Sequence, residues 1–350
     1  MQAATIAAFG DADVLTFGEV PTPSPKAGHV LIKIEAVGIN YYDTLVRSGA
    51  VSRSIPLPHV VGSDVVGHIE KLGADVETLS LGDRVIVAPG FPSDPAEWDV
   101  TPENEAPSYF PTGTYGWGGY AQYMHVPARW LILDQTDLAA EDLATMPLVL
   151  VTAVHAVKTL GGVGPGSRVL VQAGASGSGS MAIQVAKALG ADVITTVSTD
   201  KKAALARSLG ADEVIRYRKT DVSAAVRGWA GPNGIDVVID PVGGPTMAAN
   251  LECLKPRGTV VNFGLSGGAE ATIPHLYPFF RNERRIFGAW MGSMAELQFG
   301  LDLVKQAKIR SALHKTLPLN QAREAHRMMA RAEVVGKLAL LPWAARGTKD

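Results

Sequence analysis

Cysteine is nearly absent from this sequence: its 350 residues contain one, Cys253. A single thiol excludes an intrachain disulfide and any zinc site built from several thiolates. Because Cys253 follows a predicted helical stretch, we interpret it as a small packing residue and not as a nucleophile. The histidines are scattered as well, and no pair of them has the His-x-x-x-His spacing of a zinc-binding helix.

A surplus of one charge and long apolar runs are also lacking. The 32 Lys and Arg residues nearly balance the 34 Asp and Glu residues, so the composition offers no basic surplus for nucleic acid. The longest apolar stretch, residues 146–157, is too short to span a membrane and is interrupted by Pro147, Thr152 and His155. The N-terminus lacks the pattern of a signal peptide. We therefore expect a cytoplasmic protein that has neither nucleic acid nor membrane as a partner.

The pattern of the chain changes after about residue 124. Up to that point, short β-type runs such as Val30–Ala36 and Asp64–Leu72 are separated by Gly and Pro, which indicates a β-rich, barrel-like lobe. From Arg168 onward, short apolar strands alternate with amphipathic helices, a pattern typical of a doubly wound parallel sheet. The predicted fold class is α/β, with a Rossmann sheet and a second, β-rich barrel domain. The predicted domains are residues 1–124 together with 294–350, and residues 125–293.

A glycine-rich turn connects the first predicted strand of this sheet to the helix that follows. The segment from Val169 to Gly179 has the sequence VLVQAGASGSG. A strand, a tight turn and a helix start together place backbone N–H groups where a pyrophosphate can bind. The residues predicted to form this cradle are Gly174, Ser176, Gly177, Ser178 and Gly179.

The end of the second predicted strand indicates which dinucleotide is bound. NAD sites usually place an acidic residue there for the ribose hydroxyls, whereas this chain has Ser198, followed closely by Lys201 and Lys202. Together with Tyr217 after the third strand, a hydroxyl and cations suit the 2′-phosphate of NADPH. Asp200 could instead face the ribose, and the two lysines could be solvated residues of a first helical turn. We predict NADPH as the cofactor.

Further motifs point to a family. They are AVGINYYD (36–43), VGSDVVG (61–67), LGDRV (81–85), WGGYAQY (117–123), IDPVG (239–243), NFGLS (262–266) and GKL (336–338). In this order and spacing, the chain resembles the zinc-free, quinone-oxidoreductase-like branch of the medium-chain dehydrogenase/reductase superfamily over nearly its full length. The resemblance implies that the β-rich domain is a GroES-like catalytic domain and that the Rossmann domain binds the dinucleotide.

The chain departs from the zinc-containing relatives at each catalytic metal position. Asn40 stands where they have a cysteine, Ser63 and Asp64 stand where they have a His-Glu pair, and Leu148 lies near the third ligand. A catalytic zinc takes three protein ligands with suitable donors, so we expect no catalytic zinc. The structural-zinc lobe also lacks its thiolates: its four cysteine positions align with Pro92, Pro95, Trp98 and Ala106. We expect apolar packing of Trp98 and Tyr109 to support this lobe.

The resemblance also implies roles for individual residues. Asn40 should reach the nicotinamide ribose, Thr152 should lie near the nicotinamide, and Ser63 and Asp64 should line the former metal position. Tyr41 or Tyr42 could present a phenol to the substrate oxygen; read as strand neighbours, they would point to opposite faces. Each tyrosine could equally be a packing residue. The remaining residues predicted to contact the cofactor are Asp240, Val242, Gly264, Leu265, Ser266 and Lys337.

Without a Lewis acid, hydride transfer is easiest to an acceptor that is already activated by conjugation. The predicted function is therefore NADPH-dependent reduction of a small-molecule quinone or α,β-unsaturated carbonyl, which the resemblance also implies. Two alternatives remain: a metal-independent carbonyl reductase or alcohol dehydrogenase, and an NADPH-binding protein without turnover. The last predicted strand of the sheet, near Ile286–Trp290, has no following partner in the chain. Because an open apolar edge invites pairing, we expect a homodimer through this strand.

Overall fold

The computed structural model describes residues 1–344. Residues 345–350, the end of the predicted catalytic domain, lie outside this part of the chain. No helix in residues 1–344 is long and apolar enough to cross a membrane. The described chain forms two compact units, one of residues 1–148 together with the chain from Ser311 onward, and the other of residues 149–310.

The elements follow in chain order. The strands are β1 (Gln2–Ile6), β2 (Leu15–Glu19), β3 (His29–Ile39), β4 (Asp64–Leu72), β5 (Arg84–Val87), β6 (Gly90–Pro92), β7 (Tyr109–Pro111), β8 (Tyr123–Pro127), β9 (Leu131–Leu133), β10 (Arg168–Val171), β11 (Asp192–Val197), β12 (Glu213–Arg216), β13 (Ile235–Asp240), β14 (Leu254–Asn262), β15 (Arg285–Gly288), β16 (Leu313–Pro318) and β17 (Lys337–Leu341). The helices are α1 (Tyr41–Ser48), α2 (Ala140–Ala144), α3 (Pro147–Val154), α4 (Gly177–Ala188), α5 (Asp200–Ser208), α6 (Val222–Ala230), α7 (Met247–Cys253), α8 (Leu276–Arg281), α9 (Met294–Lys305) and α10 (Ala322–Ala330).

The first unit is built around a seven-stranded sheet. Its order is β16-β17-β3-β4-β5-β9, and β8 also pairs with β3. The long strand β3 has apolar residues on both faces, because it lies in the centre of the sheet and most of its side chains are buried. Strand β17 returns from the C-terminal part of the chain to pair antiparallel with the end of β3. The predicted GroES-like domain therefore takes residues from both ends of the chain.

The second unit contains the predicted Rossmann sheet. Its six strands are all parallel in the order β12-β11-β10-β13-β14-β15. Counted within the sheet, this is the 3-2-1-4-5-6 order of dinucleotide-binding folds. The strands have nearly continuous apolar runs because helices cover both faces of such a sheet. The order reverses between β10 and β13, and ligands bind at the carboxyl ends of the strands next to this point.

Both domain boundaries lie later in the chain than residues 124/125 and 293/294, where the sequence placed them. Strand β8 pairs with residues 29–33 of β3, and β9 pairs with β5, so both belong to the barrel sheet. Helix α9 belongs to the second unit, where Gly300 lies so close to Leu150 that an added Cβ would be 2.6 Å from its side chain.

Aromatic packing replaces thiolate ligands in the loop around residues 90–111. Trp98 donates from Nε1 to the Pro92 carbonyl at 3.0 Å and packs edge-on against Trp130. The Arg129 guanidinium lies over both rings, at 5.3 and 5.0 Å from their centroids. Tyr109 is buried, and its ring fills the space above Gly90. The expected packing of Trp98 and Tyr109 is present.

The one cysteine is a packing residue, as its sequence context indicated. Cys253 ends α7 with 0% of its surface exposed, among the apolar residues between α6, α7 and the parallel sheet. Burial raises the pKa of its thiol to about 11, so the thiolate is scarce at neutral pH.

Strand β15 forms the outer edge of the parallel sheet. It pairs with β14 on one side and is the last strand in the sheet order. The strand ends at Gly288, so Trp290 lies beyond it. Phe287 of this strand and Leu276, Tyr277 and Phe280 of helix α8 are exposed apolar side chains.

Candidate active site

The glycine-rich turn follows β10 and leads into α4. Ser176 is the N-cap of this helix, and its Oγ accepts a hydrogen bond of 3.0 Å from the Gly179 N–H. The first intrahelical bond runs from Ser180 N–H to the Ser176 carbonyl, so the N–H groups of Gly177 and Ser178 precede it. Such N–H groups at a helix N-terminus, with the positive end of its dipole, bind phosphate.

Two glycines of this turn have no room for a side chain. A Cβ on Gly174 would lie 2.0 Å from Thr195 Oγ1, and a Cβ on Gly179 would lie 2.2 Å from the Ala173 carbonyl oxygen. Ala173 itself has a φ of 54°, a left-handed conformation that is uncommon for a residue with a Cβ. The turn therefore packs closely against β11 and against the start of α4, which is the geometry that a pyrophosphate cradle requires.

The residues predicted to recognise a 2′-phosphate lie after β11 and β12. These strands are neighbours, and the Tyr217 N–H bonds the Val197 carbonyl, so Ser198 and Tyr217 leave the sheet side by side. Lys202 lies in the first turn of α5, capped by Thr199. Asp200 forms an ion pair with Arg216 at the end of β12. The carboxylate nearest to the expected phosphate site therefore has a cationic partner.

Asp240 was predicted to contact the cofactor, but its carboxylate accepts hydrogen bonds from its own loop. Its Oδ1 accepts from the N–H groups of Val242 and Gly243 at 2.8 and 3.2 Å, and its Oδ2 accepts from Thr246 Oγ1 and Asn250 Nδ2 at 2.8 and 2.9 Å. The side chain is fully buried, and burial raises its pKa. Asp240 thus shapes residues 241–246, and Val242 lies on the loop that it shapes.

The loop after β14 is held against this first loop. Ser266 Oγ donates to the Pro241 carbonyl at 3.1 Å, and the Gly267 N–H donates to the Val242 carbonyl at 2.8 Å. Gly264 lies so close that an added Cβ would be 2.2 Å from the Pro241 oxygen. Leu265, between them, is exposed. The structure therefore brings together the predicted set Val242, Gly264, Leu265 and Ser266 at the carboxyl ends of β13 and β14.

Thr152 lies on α3, away from these loops in sequence. It is buried, and its Oγ1 lies 3.8 Å from Met291 Sδ. Met291 follows β15 with a φ of 53° and is buried, whereas Trp290 is partly exposed. Of these two residues, Met291 packs inward and Trp290 is accessible.

In the first unit, Asn40, Asp64 and Lys337 form a buried polar cluster. Asn40 Nδ2 donates to Asp64 Oδ2 at 2.8 Å, and Lys337 Nζ donates to Asn40 Oδ1 at 2.5 Å and lies 3.4 Å from Asp64 Oδ2. The Leu148 N–H donates to Asp64 Oδ1 at 2.7 Å. Burial raises the pKa of Asp64 and lowers that of Lys337, while their attraction opposes both shifts. An ammonium thus neutralises the carboxylate in this cluster.

A second buried chain begins at Ser63 and continues through Asp43. Ser63 Oγ donates to Asp43 Oδ1 at 3.1 Å, and Tyr120 Oη lies 3.2 Å from Asp43 Oδ2. Tyr120 is 2.9 Å from His326 Nε2, and Arg47 Nη1 is 3.0 Å from His326 Nδ1. Since a guanidinium only donates, Nδ1 accepts and Nε2 carries the proton toward Tyr120. Asp43 Oδ2 also accepts from the Asn40 N–H at 2.9 Å.

Tyr41 and Tyr42 are not strand residues, which corrects the prediction of opposite faces. They begin α1, because Asn40 at the N-cap and Asp43 three residues on close the first turn. Tyr41 is 48% exposed, and Tyr42 is partly buried, with its oxygen 3.2 Å from Thr114 Oγ1. Burial raises the pKa of Tyr42 to about 12. Ser63 and Asp64 are fully buried, so neither presents a side chain to solvent.

Sequence reasoning missed the buried partners in both units. Tyr120 and His326 of the first unit, and Gln172 and Asn250 of the second, are buried polar residues that hold the predicted site residues in place. The Asn-x-x-Asp spacing of Asn40 and Asp43 is a capping signal that could have identified the helix.

The residues at the former zinc positions do not fit a zinc ion. Asn40 and Asp64 are bonded to each other and to the Lys337 ammonium, and Ser63 is bonded to Asp43. Zinc in proteins takes Cys, His and carboxylate donors, and only Asp64 is one of these. A divalent cation beside a buried ammonium would also be repelled. Among residues 1–344, no group of three His, Cys, Asp or Glu side chains could hold a metal.

Comparison with known sequences identifies both units. Residues 26–135 match the alcohol dehydrogenase GroES-like domain, and residues 177–306 match the family described as zinc-binding dehydrogenase. A 2-haloacrylate reductase of Burkholderia sp is 32% identical over 98% of this chain and 100% of that protein. A quinone oxidoreductase of Pseudomonas aeruginosa is 30% identical over 96% of this chain and 98% of its own length.

Solved structures agree with this comparison. An NAD-dependent alcohol dehydrogenase superposes with a TM-score of 0.92 at 32% identity, over 97% of this chain and 99% of the other. A mycobacterial protein complexed with NADPH superposes with a TM-score of 0.82 at 30% identity, over 98% of this chain and 100% of the other. The motifs, the 3-2-1-4-5-6 sheet and these likenesses have one explanation: the chain is an oxidoreductase of the medium-chain dehydrogenase/reductase superfamily and a quinone-oxidoreductase-like member of it.

Proposed function

We propose that this protein is an NADPH-dependent reductase that transfers hydride to a conjugated acceptor, a quinone or an α,β-unsaturated carbonyl, without a metal ion. The observation that carries the proposal is the Asn40–Asp64–Lys337 cluster, in which an ammonium of the protein takes up the carboxylate at the former zinc position. A reductase without a Lewis acid needs an acceptor that can spread negative charge by conjugation.

The cofactor residues follow from the second unit. The pyrophosphate would bind at Gly177 and Ser178 on the N-terminus of α4, over the close-packed glycines of the turn. The 2′-phosphate would bind near Ser198, Lys202 and Tyr217. The loops after β13 and β14 would hold the nicotinamide ribose, with Thr152 and Asn40 as further proposed contacts. When bound, NADPH supplies the hydride.

The side chains of the protein orient the reactants and stabilise the charge that develops during reduction. Tyr42, whose pKa is raised to about 12, stays protonated at neutral pH and acts as a hydrogen-bond donor rather than as a base. A phenol of this kind stabilises the oxygen on which charge develops when an enone or quinone is reduced. Tyr41, the exposed neighbour, is the second candidate. Ser63, Asp64 and Lys337 act from buried positions, where they hold Asn40 and Asp43 in place.

The names of two relatives support a conjugated acceptor. One is a 2-haloacrylate reductase and one is a quinone oxidoreductase. A haloacrylate is a C=C bond conjugated with a carboxyl group, and a quinone is a conjugated diketone, so the two share an electron-poor π-system that accepts hydride.

The proposal is tested by following NADPH oxidation against matched sets of acceptors. Quinones and enones are compared with the corresponding saturated ketones and aldehydes, with and without a metal chelator. We expect turnover of the conjugated set alone, unchanged by the chelator. Turnover confined to simple ketones or aldehydes would support the carbonyl reductase reading, which the likeness to an NAD-dependent alcohol dehydrogenase favours. NADPH binding without any turnover would indicate a binding protein.

The choice of NADPH over NADH can be tested at Lys202. We expect Lys202→Ala to raise the KM for NADPH by about tenfold or more and to leave the KM for NADH nearly unchanged, because a charge-assisted hydrogen bond to phosphate contributes about 1.5–3 kcal/mol. Lys201→Ala is the matched control, since Lys201 is the exposed neighbour in the same helical turn. Equal losses with both cofactors would argue against a 2′-phosphate site here.

We further propose a homodimer in the cytoplasm that pairs through the edge strand β15. Within residues 1–344 no strand pairs with the outer side of β15, and a second copy would cover this edge together with the exposed Phe287, Tyr277 and Phe280. Light scattering measures the mass in solution, and a monomer at micromolar concentration would contradict the proposal.

A further inference from the structure

A buried chain of polar side chains connects the two cofactor loops of the Rossmann unit. It begins at Thr196 near the end of β11, passes Gln172 after β10 and Asn250 on α7, and ends at Asp240 at the end of β13. Thr196 Oγ1 donates to Gln172 Oε1 at 2.6 Å, Gln172 Nε2 donates to Asn250 Oδ1 at 2.7 Å, and Asn250 Nδ2 donates to Asp240 Oδ2 at 2.9 Å. All four side chains are almost completely buried.

Both ends of this chain hold backbone that is expected to touch the cofactor. At one end, Thr196 Oγ1 accepts from the Ala173 N–H at 3.0 Å, in the phosphate-binding turn. At the other end, Asp240 accepts from the N–H groups of Val242 and Gly243, in the loop after β13. The chain is therefore a direct connection between the backbone at the pyrophosphate site and the backbone at the ribose site.

The direction of every hydrogen bond in the chain is fixed by its ends. The Asp240 carboxylate has no proton to give, so Asn250 must present its NH₂ group to it and its oxygen to Gln172. Gln172 must then present its NH₂ group to Asn250 and its oxygen to Thr196, whose oxygen accepts from Ala173. Reversing either amide would place two oxygens or two NH₂ groups face to face in a buried site, where an unmade hydrogen bond is costly. Only one set of hydrogen-bond directions therefore satisfies these side chains, and it fixes the spacing of the two loops.

We propose that Gln172 and Asn250 are positioning residues that hold the phosphate-binding turn and the loop after β13 at a single spacing, and that this spacing sets the affinity for NADPH. The inference rests on the proposed NADPH function and concerns residues that do not themselves contact the cofactor. A ligand that bridges two loops binds best when the loops are fixed in place beforehand, because no ordering is then needed on binding.

Gln172→Met tests this with little change in volume, because methionine is about as long as glutamine and cannot make either hydrogen bond. Gln184→Met is the matched control. Gln184 is a buried glutamine of the same unit, on α4, that bonds the backbone of Arg310 and the carbonyl of Ser180 but no member of the buried polar chain. We expect Gln172→Met to raise the Kd for NADPH about tenfold, and Gln184→Met to change it by less than about twofold, when binding is measured by calorimetry or fluorescence.

A double-mutant cycle with Thr246→Val distinguishes positioning from general damage. Thr246 donates to Asp240 in the loop after β13 and does not bond Gln172. If the buried polar side chains transmit the effect of Gln172→Met to the loop after β13, the two substitutions together should raise the Kd for NADPH clearly less than the product of their separate effects. The second substitution then disturbs a loop whose position is already no longer fixed. Independent effects that simply multiply would overturn the inference.

The remaining outcomes are also decisive. If Gln172→Met does not fold, Gln172→Glu keeps the acceptor for Thr196 while placing an oxygen against Asn250 Oδ1, and the same rise in Kd is expected. A Kd equal to that of Gln184→Met would overturn the positioning role while leaving the proposed function intact. Failure of the unaltered protein to bind NADPH at all would remove the proposed function itself, and the inference with it.

Discussion

Replacing Lys337 by methionine is expected to lower the free energy of unfolding by about 3–5 kcal/mol. Lys337 is 5% exposed and Asp64 is 0% exposed, so the substitution leaves a buried carboxylate without its cation, a loss of this size in other proteins. Urea unfolding followed by tryptophan fluorescence measures the change. Lys71→Met, at an exposed lysine of strand β4, is the control and should change stability by less than about 0.5 kcal/mol.

A second substitution tests whether charge is the cause. Asp64→Asn in the Lys337→Met background removes the uncompensated carboxylate, and Asn40 can then turn its amide over to present its oxygen to the new NH₂ group. We expect the double variant to be more stable than Lys337→Met alone by about 2 kcal/mol or more, because breaking an ion pair costs more than replacing both partners. A double variant less stable than Lys337→Met would show that lost packing, not the unpaired charge, dominates.

The second large effect is a pH dependence of stability that arises from Asp43. Burial raises the pKa of this carboxyl to about 7 from its ordinary value of 3.8, against hydrogen bonds from Asn40 and Ser63 and the attraction of Lys337; the nearby Asp64 raises it further. The folded state therefore binds the proton more tightly than the unfolded state. Protonated Asp43 therefore makes its full contribution to stability below about pH 4, and this contribution is lost as the pH rises through about 7.

Asp43→Asn should remove this dependence. An asparagine can keep its oxygen toward the Asn40 N–H and Tyr120 and donate to Ser63, as the protonated acid would. As the pH rises from 5 to 8, the free energy of unfolding of Asp43→Asn should increase by about 2.5 kcal/mol relative to that of the unaltered protein. This value follows from the raised pKa alone. Denaturant unfolding at the two pH values measures it.

An exposed carboxylate provides the control for this experiment. Asp75→Asn, in the turn after β4, should follow the pH profile of the unaltered protein. If Asp43→Asn differs from the unaltered protein by the same amount at both pH values, Asp43 does not titrate in this range. His326, whose pKa burial and Arg47 lower to about 3, reduces stability as the pH falls below about 6.5, because only the unfolded state then binds the proton. This effect is the same in the unaltered protein and in Asp43→Asn, so it cancels in the comparison.

The Rossmann unit could be predicted from the sequence because the patterns that indicate it are local. From β10 at Arg168 through β13, short strands alternate with the helices α4, α5 and α6, as the pattern predicted. Each is a short apolar run bounded by turn residues, so the pattern survives without tertiary information. The glycines of the phosphate-binding turn could also be identified from the sequence, because a position without space for a Cβ requires glycine.

The polar clusters could not be predicted because their members are distant in the chain. Tyr120 lies 77 residues from Asp43, and His326 lies 206 residues from Tyr120. No periodicity marks such a set, and only the pairing of β17 with β3 brings Lys337 beside Asn40. The tyrosine prediction failed for a local reason: a strand that ends at Ile39 passes directly into a helix capped by Asn40, so the alternation of faces stops one residue before Tyr41.

Quinones and enones, the acceptors proposed for this protein, alkylate thiolates, so an enzyme that reduces them is exposed to damage by its substrates. This chain offers them almost no target. Its one thiol, Cys253, has no exposed surface and a pKa of about 11, and the loop around residues 90–111 is packed with tryptophan and arginine. The protein is therefore suited to withstand electrophiles at concentrations that would inactivate a thiolate-dependent enzyme.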